Sequence, residues 1–437
     1  MPIPTLQGLQ TALSGLLADQ QAIDVTGHNI TNANTPGYSR QVAVLQTNEP
    51  LRIAALSPID GEGGQLGTGV SVSTYTRIRN TYLDAQYRDQ NAALGAASTQ
   101  AEELQQAQGA FDEPSSAGLS SQLSALWSAW GALADSPSSE AAKVSVVSVA
   151  TQLTDTLHQL QGQLQTIEGQ AGAQYAAITG PSGEVQGDAN QIAQLNQQIK
   201  LSLLAHQQPN DLEDRRDQLL DKLSTLANVT VSKEADGTDT VSFGGAATPL
   251  VEGAKVNWPQ ALTPAAGGQL GALLELSSPT GALAQYQTAL NEVAATLASS
   301  VNELHTATPF FKGATAATIE VAVAPGAVQT SSTGAPGGND VALAIAALRG
   351  GKADQRYAAL VEQVGSGVQT AKENEANSQA VVTTVANQRQ SVSGVSLDEE
   401  MTNLITFQRG YQASARALTT MDEMLNVLIN HTGIAGL

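Results

Sequence analysis

Cysteine is absent from all 437 residues, which removes disulfides, thiolate metal sites and thiol nucleophiles together. Aromatic side chains make up 4% of the chain and charged ones 14%, a composition that suits long helices with modest cores better than an enzyme. Basic residues are scarce as well. The first Lys or Arg is Arg40, so the amino terminus has no positive n-region for an ordinary cleaved signal or transit peptide, and any export must use another route. The formal charge is −20, from 40 acidic and 20 basic side chains. No basic stripe interrupts it, so neither a nucleic acid nor an anionic membrane is an expected partner. No apolar run approaches the roughly 18 residues a spanning helix needs, and no membrane insertion is expected.

The usual catalytic constellations are missing too. The five histidines, at 28, 158, 206, 305 and 431, have no metal-ligand spacing, and surface or cap roles are expected for them. The glycines between 61 and 69 lack the Gly-Lys-Ser/Thr of a phosphate loop, and no Gly-x-Ser-x-Gly elbow is present. No catalytic, cofactor or metal site is expected.

What is present is helical periodicity at both ends. Leu6, Leu9, Leu13, Leu16, Gln20, Ile23, Gly27 and Ile30 recur at alternating steps of three and four, an a/d seam. It runs into Asn32-Ala33-Asn34-Thr35-Pro36-Gly37, where Pro36 forbids helix and Gly37 permits positive φ. A last helix, from about Leu397 to Asn430, carries the stripe Leu404, Phe407, Tyr411, Leu418, Met421, Leu425 and Leu428. Burying one Leu or Phe contributes about 1.5–3 kcal/mol, so two such stripes are a large drive for association. A lone helix pair leaves one apolar side uncovered, and other subunits are the expected cover.

Between the ends, 38–80 reads as strands with glycine turns, and 81–112 and 115–228 as helices broken near Pro114, Pro137 and Gly180-Pro181. Short strands are expected over 229–276 and 308–338, with helices over 281–305 and 340–393. The chain is long enough for two or three domains. The expected fold is mainly α with a β-rich insert. Residues 1–35 with 397–437 form a terminal coiled-coil assembly domain, and 36–228 with 280–306 and 339–396 a helical core. Residues 229–279 with 307–338 form a small outer β-rich domain. Within 210–222, Asn210 or Asp211 is expected to cap a helix, with Asp211–Arg215 and Glu213–Arg216 as neighbour pairs.

The run Asn29-Ile30-Thr31-Asn32-Ala33-Asn34-Thr35-Pro36-Gly37-Tyr38-Ser39-Arg40-Gln41, preceded by Ala12-Leu13-Ser14-Gly15-Leu16, closely resembles the amino-terminal signature of flagellar rod, hook and hook-associated proteins. Its Thr35 to Gln41 portion looks like the version in the hook-associated protein 1 family. The segments at 67–72, 210–220 and 339–344 are similar to later regions of that family, as is 396–432 with Phe407-Gln408-Arg409-Gly410-Tyr411-Gln412-Ala413, while 229–338 carries little of the likeness.

The resemblance implies a terminal coiled coil, a helical core and outer β-rich domains in a structural subunit joining flagellar hook to filament. It implies self-association into a ring, contacts with hook protein and hook-associated protein 3, and a cytosolic chaperone for the carboxy-terminal helix. Export by the flagellar type III apparatus to an extracellular position on the flagellum follows as well. The subunit interface is expected at Leu6, Leu9, Leu13, Leu16, Ile23 and Ile30 with the carboxy-terminal stripe, and the family motif at Asn32, Asn34, Thr35, Pro36, Gly37, Tyr38, Arg40 and Gln41. The alternatives are another axial protein, such as hook protein or hook-associated protein 3, and a secreted enzyme with its site in 229–338. Thr35-Pro36-Gly37-Tyr38 argues against the hook protein, the 210–220 segment against hook-associated protein 3, and the single histidine of 229–338, His305, against the enzyme.

Overall fold

A computed structural model describes residues 4–52 and 65–431, with side chains from 7–51 and 65–430. The glycine-turn expectation at 61–64 lies outside the described residues, as does the side chain of Leu6. Helix α1 (Pro4–Asn32) ends where Pro36 and the asparagines require it, and is followed by strands β1 (Gln41–Thr47), β2 (Leu51–Arg52), β3 (Gln65–Leu66) and β4 (Val70–Arg77). β1 and β4 pair antiparallel as a ribbon, and α1 packs on it. Helices α2 (Thr81–Phe111), α3 (Leu119–Asp135), α4 (Glu140–Thr179), α5 (Glu184–Leu204) and α6 (Asn210–Leu226) follow, breaking near the expected prolines and glycines. One break falls outside the expected ones: α5 ends at Leu204, and His206 just beyond it lies in the left-handed region at φ 57°.

Strands β5 (Val229–Lys233), β6 (Asp239–Phe243), β7 (Val251–Glu252) and β8 (Lys255–Val256) form an antiparallel meander. It shares a core with α5 and α6 through Val241, Phe243, Val251, Ile192 and Leu220. Residues 268–276, expected among the strands, instead form helix α7 (Gly268–Leu276). Leu270, Leu273 and Leu276 recur at helical spacing; Leu273 and Leu276 are buried in the core with α2 and α4, and Leu270 in the core with α5 and α6. Helix α8 (Ala282–Leu304) is as expected. Strands β9 (Phe311–Lys312) and β10 (Glu320–Val321) pair only with each other, and their segment packs on α4 and α8. The two β segments expected to make one outer unit therefore lie in separate sheets with separate cores, because Phe310, Phe311 and Ile319 are buried in the helical body.

Helix α9 (Asp340–Ala346) is separated from α10 (Lys352–Ser393) by a turn at Arg349-Gly350-Gly351 that had read as continuous helix; Gly350 has φ 71°. Helix α11 (Leu397–His431) closes the described chain. The main core joins α2, α3, α4, α7, α8, α9 and α10 around Trp127, Trp130, Leu153, Leu290 and Tyr357, all at most 2% exposed. The protein is mainly α with small antiparallel sheets.

Candidate assembly interface and its joint to the body

Helices α1 and α11 pack antiparallel along a seam of small residues. A Cβ placed on Gly8 would come within 2.9 Å of Met421 Cε, one on Gly15 within 3.0 Å of Ser414 Oγ, and one on Gly410 within 2.6 Å of Asp19 Oδ2. Asn29 Nδ2 donates to Glu400 Oε2 at 3.0 Å. Each of these pairs sums to 429 in residue number, so one uninterrupted register runs along the pair. Gly8, Gly15, Ala22 and Asn29 are seven apart, as are Met421, Ser414, Phe407 and Glu400, the spacing of a left-handed coil.

The buried line of α1 is one residue out of step with the leucine seam. Ala18, Ala22, Thr26 and Asn29 are at most 3% exposed. Leu9, Leu16, Ile23 and Ile30 are half-buried along its flank, and Leu13 and Leu17 are exposed at 42% and 50%. On α11, Leu404, Phe407, Leu418, Met421 and Leu425 are half-buried, while Tyr411 and Leu428 are exposed. Glycine and alanine let the two backbones approach, and the larger apolar side chains are thereby left at the edges of the contact, where α1 and α11 cover them only in part.

The motif residues build the joint between this stem and the body. Asn32 is bonded to Thr35 through main chain (2.9 Å) and side chain (3.1 Å), making a turn that Gly37 completes with φ 74°. Gly37 is required twice over, because a Cβ there would lie 2.1 Å from Gln218 Nε2, which donates to the Pro36 carbonyl. Asn34 and Pro36 are exposed on the turn. Tyr38 donates its hydroxyl proton to Asn29 Oδ1 at 2.7 Å. Burial, then the carboxylates of Asp211, Asp214 and Glu400, push its phenol far above the ordinary value, so it remains a donor. Arg40 NH1 reaches Glu399 at 2.7 Å and its amide donates to Ser393 O at 2.9 Å. Gln41 joins Asp211 at 2.9 Å and Asn210 at 3.1 Å.

These last contacts overturn the simple reading of 210–222. The residue before α6 is Pro209, and no side-chain cap forms. Asn210 bonds Gln41 and the Tyr75 carbonyl instead. Glu213 pairs with Arg77 (2.7 Å), not Arg216, and Arg216 is buried against Asp239 (3.0 Å). Asp214 accepts from the Ser39 amide and hydroxyl and from Arg77. Asp217 meets Arg77, Arg79 and Arg88 at 2.9–3.0 Å, and Arg389 of α10, lying 4.4 Å over the Tyr87 ring, pairs with Asp221 at 2.7 Å. Burial alone would raise the Asp217 carboxyl, but Arg79, Arg77 and Arg88 outweigh it and hold it well below the usual carboxylate range. One face of α6 is thus the shared seat for the motif turn, β4, α2 and α10. Ser39, Arg77, Arg79, Asp217 and Glu400 escaped the sequence reading. The arginines of a sparsely basic chain were the available signal: Arg77, Arg79 and Arg88 all reach Asp217, far away in sequence, although Arg79 also pairs with nearby Asp84.

His305, expected at the surface or as a cap, closes α8 but is 1% exposed. Its Nδ1 lies 2.6 Å from Thr308 O and its Nε2 accepts from the Gln329 amide at 2.8 Å, so both ring nitrogens are held by main chain. No group of residues suited to a metal ion occurs among the described residues, and no described helix is long and apolar enough to cross a membrane.

Three family models match this chain. One described as the flagellar hook-associated protein FlgK helical domain covers 104–264. The flagella basal body rod protein model covers 9–38, and the flagellar basal body rod FlgEFG protein C-terminal model covers 386–430. Flagellar hook-associated protein 1 of Bacillus subtilis (strain 168) is 28% identical over 99% of both chains. That of Escherichia coli (strain K12) is 24% identical over 97% of this chain and 99% of its own. A solved structure, the flagellar hook junction protein FlgK from Burkholderia pseudomallei, is 25% identical with a TM-score of 0.44, over 51% of this chain and 43% of that one. The sequence matches at both ends and through the helical body make this chain similar to flagellar hook-associated protein 1 along its whole length and support an identity of that type.

Proposed function

We propose that this protein is the structural subunit that joins hook to filament in the bacterial flagellum, and that it polymerises through the edges of the α1/α11 stem. The full-length match to hook-associated protein 1 carries the junction role. The stem supports the mode of assembly: Leu13, Leu17, Ile405 and Leu428 are 42–50% exposed on helices whose mutual contact is made of glycine, alanine and serine. Neighbouring stems would bury these side chains, so much of the stem's order is gained on assembly.

The chain associates with other flagellar axial components. More specifically, we assign it a ring of identical subunits, with hook protein on one side and hook-associated protein 3 on the other. The interface comprises Leu9, Leu13, Leu16, Ile23 and Ile30 with Leu404, Phe407, Tyr411, Leu418, Met421, Leu425 and Leu428. The same α11 stripe would need a cytosolic chaperone before export by the flagellar type III apparatus to its extracellular position. Its role is structural and non-catalytic, in keeping with relatives named as parts of the flagellum. Residues 229–338, the place left for an enzyme, hold one histidine with both nitrogens engaged. Labelled protein imaged on isolated flagella by electron microscopy should sit only at the hook junction; signal along the filament, or none at the junction, would reject the assignment.

A further inference from the structure

A seam of small residues holds two helices close and specifies their register only in part: Met421 sits on Gly8, but Gly15 and Ser414 offer no large knob that fits a single hole. Among the described residues the seam also has a buried polar layer that can select the alignment, at its end nearest the body.

There the Asn29 amide uses its full capacity. Its Oδ1 accepts from the Gln41 amide at 2.9 Å and from the Tyr38 hydroxyl at 2.7 Å, while its Nδ2 donates to Gln41 O at 2.8 Å and to Glu400 Oε2 at 3.0 Å. Asn29 is 1% exposed and Glu400 2%. Arg40 NH1 lies 3.9 Å from the other Glu400 oxygen, closing the layer. With α11 slipped by four or seven residues, Asn29 would come level with Leu404 or Phe407, and Glu400 with Val25 or Ala22 in the opposite direction. Asn29 would keep Gln41 and Tyr38, but the bond between Asn29 and the buried Glu400 carboxylate would be lost, a penalty worth roughly 5- to 150-fold in population. The geometry points to Asn29 and Glu400 as the residues that set the register of the terminal stem. Because Tyr38 and Gln41 bind the same amide, the register is tied to the motif turn and so to the seat on α6. The motif then fixes which apolar edges the stem presents, in addition to closing a helix. This inference concerns the fold of one chain and stands apart from the junction assignment.

The cysteine-free sequence allows a direct test. A Cβ on Gly15 would lie 3.9 Å from Ser414 Cβ, within the range of disulfides. Gly15→Cys with Ser414→Cys reports the native register, and Gly15→Cys with Leu418→Cys or Met421→Cys reports slips of one or two turns. In the otherwise native chain, mild oxidation should close the first pair and leave the other two open. In the Asn29→Leu/Glu400→Leu background, which removes the pair across the seam together with the Asn29 bonds to Gln41 and Tyr38, stem helicity should persist while closure spreads over all three pairs, the native preference falling roughly 5- to 150-fold. Asn29→Asp with Glu400→Gln, which rebuilds a hydrogen bond across the layer, should restore much of the preference. Exclusive closure of the Gly15/Ser414 pair in the double leucine background would overturn the proposal, showing that the tethers at 33–40 and 394–396 set the alignment. Loss of all closure would also overturn it, making the pair a source of affinity and not of register.

Discussion

The body and the terminal stem are both helical but bury different side chains. In the body Trp127, Trp130, Leu153, Leu290 and Tyr357 are at most 2% exposed and enclosed by several helices at once. In the stem the fully buried described positions are Ala18, Ala22, Thr26, Asn29 and Glu400, and the leucines sit at the margin. Apolar burial contributes about 25 cal/mol per Å² removed from water, so an alanine seam supplies far less than the tryptophan-centred core. A body that is stable alone can hold out a stem that is completed by neighbours. Between the two lies a joint of buried charges, where specificity of geometry and not apolar area holds the parts together.

The sharpest contrast should come from truncating a core residue. Trp130→Ala leaves a cavity against Phe310 and His305 and should cost about 3–5 kcal/mol, seen as an early thermal transition of the isolated chain. No single truncation in the stem should approach that loss; an equal effect from Leu13→Ala would erase the distinction between the regions.

At the joint, Asp217→Asn should destabilise by up to about 3–5 kcal/mol, the usual result of orphaning buried charges. The pH dependence gives an independent signature. The Asp217 carboxyl is held below its unfolded value of about 3.9, so its contribution is fully present above that pH and is lost as pH falls toward the lower folded value. The native chain should therefore lose stability more steeply below about pH 4 than the Asp217→Asn variant, in acid-titrated denaturant melts. Parallel acid limbs would remove Asp217 from the accounting.

Stem substitutions should be the mildest in the monomer and the most severe in assembly. Leu13→Asp, at a 42% exposed site, should change monomer stability by no more than about 0.5 kcal/mol while filament subunits leak into the medium of motility cultures. Leu418→Asp is a less clean probe than its place in the stripe suggests. Leu418 is half-buried, so loosening of the stem should accompany its assembly defect. Normal motility from a well-exported Leu13→Asp variant would take the interface away from this edge.

Much of the fold was legible because helical spacing and breakers act locally: the ends of α1, α3 and α4 follow from Pro36, Pro137 and Gly180-Pro181. The motif turn could be read for the same reason. The joint could not. Asp217 finds arginines about 130 to 140 residues away, and nothing near 210–222 announces them; local pairing with Arg215 or Arg216 was the only reading that range allowed. The true stem seam was hidden by its chemistry, since a line of Gly, Ala, Thr and Asn carries little hydropathy beside the leucines one position on. The two β segments gave no sign of separate cores, because two-residue strands such as β9 and β10 have too few residues to show a pairing preference.

The central claim is that the stem owes much of its order to neighbours while the body does not, and native-state hydrogen exchange on the isolated and assembled protein tests it most directly. In a verified monomer, amides of 7–30 and 400–430 should exchange far faster than those of α3, α4 and α8, and in the assembled junction they should become as protected as the body. Protection of both stem helices at the level of global unfolding in the monomer would contradict it.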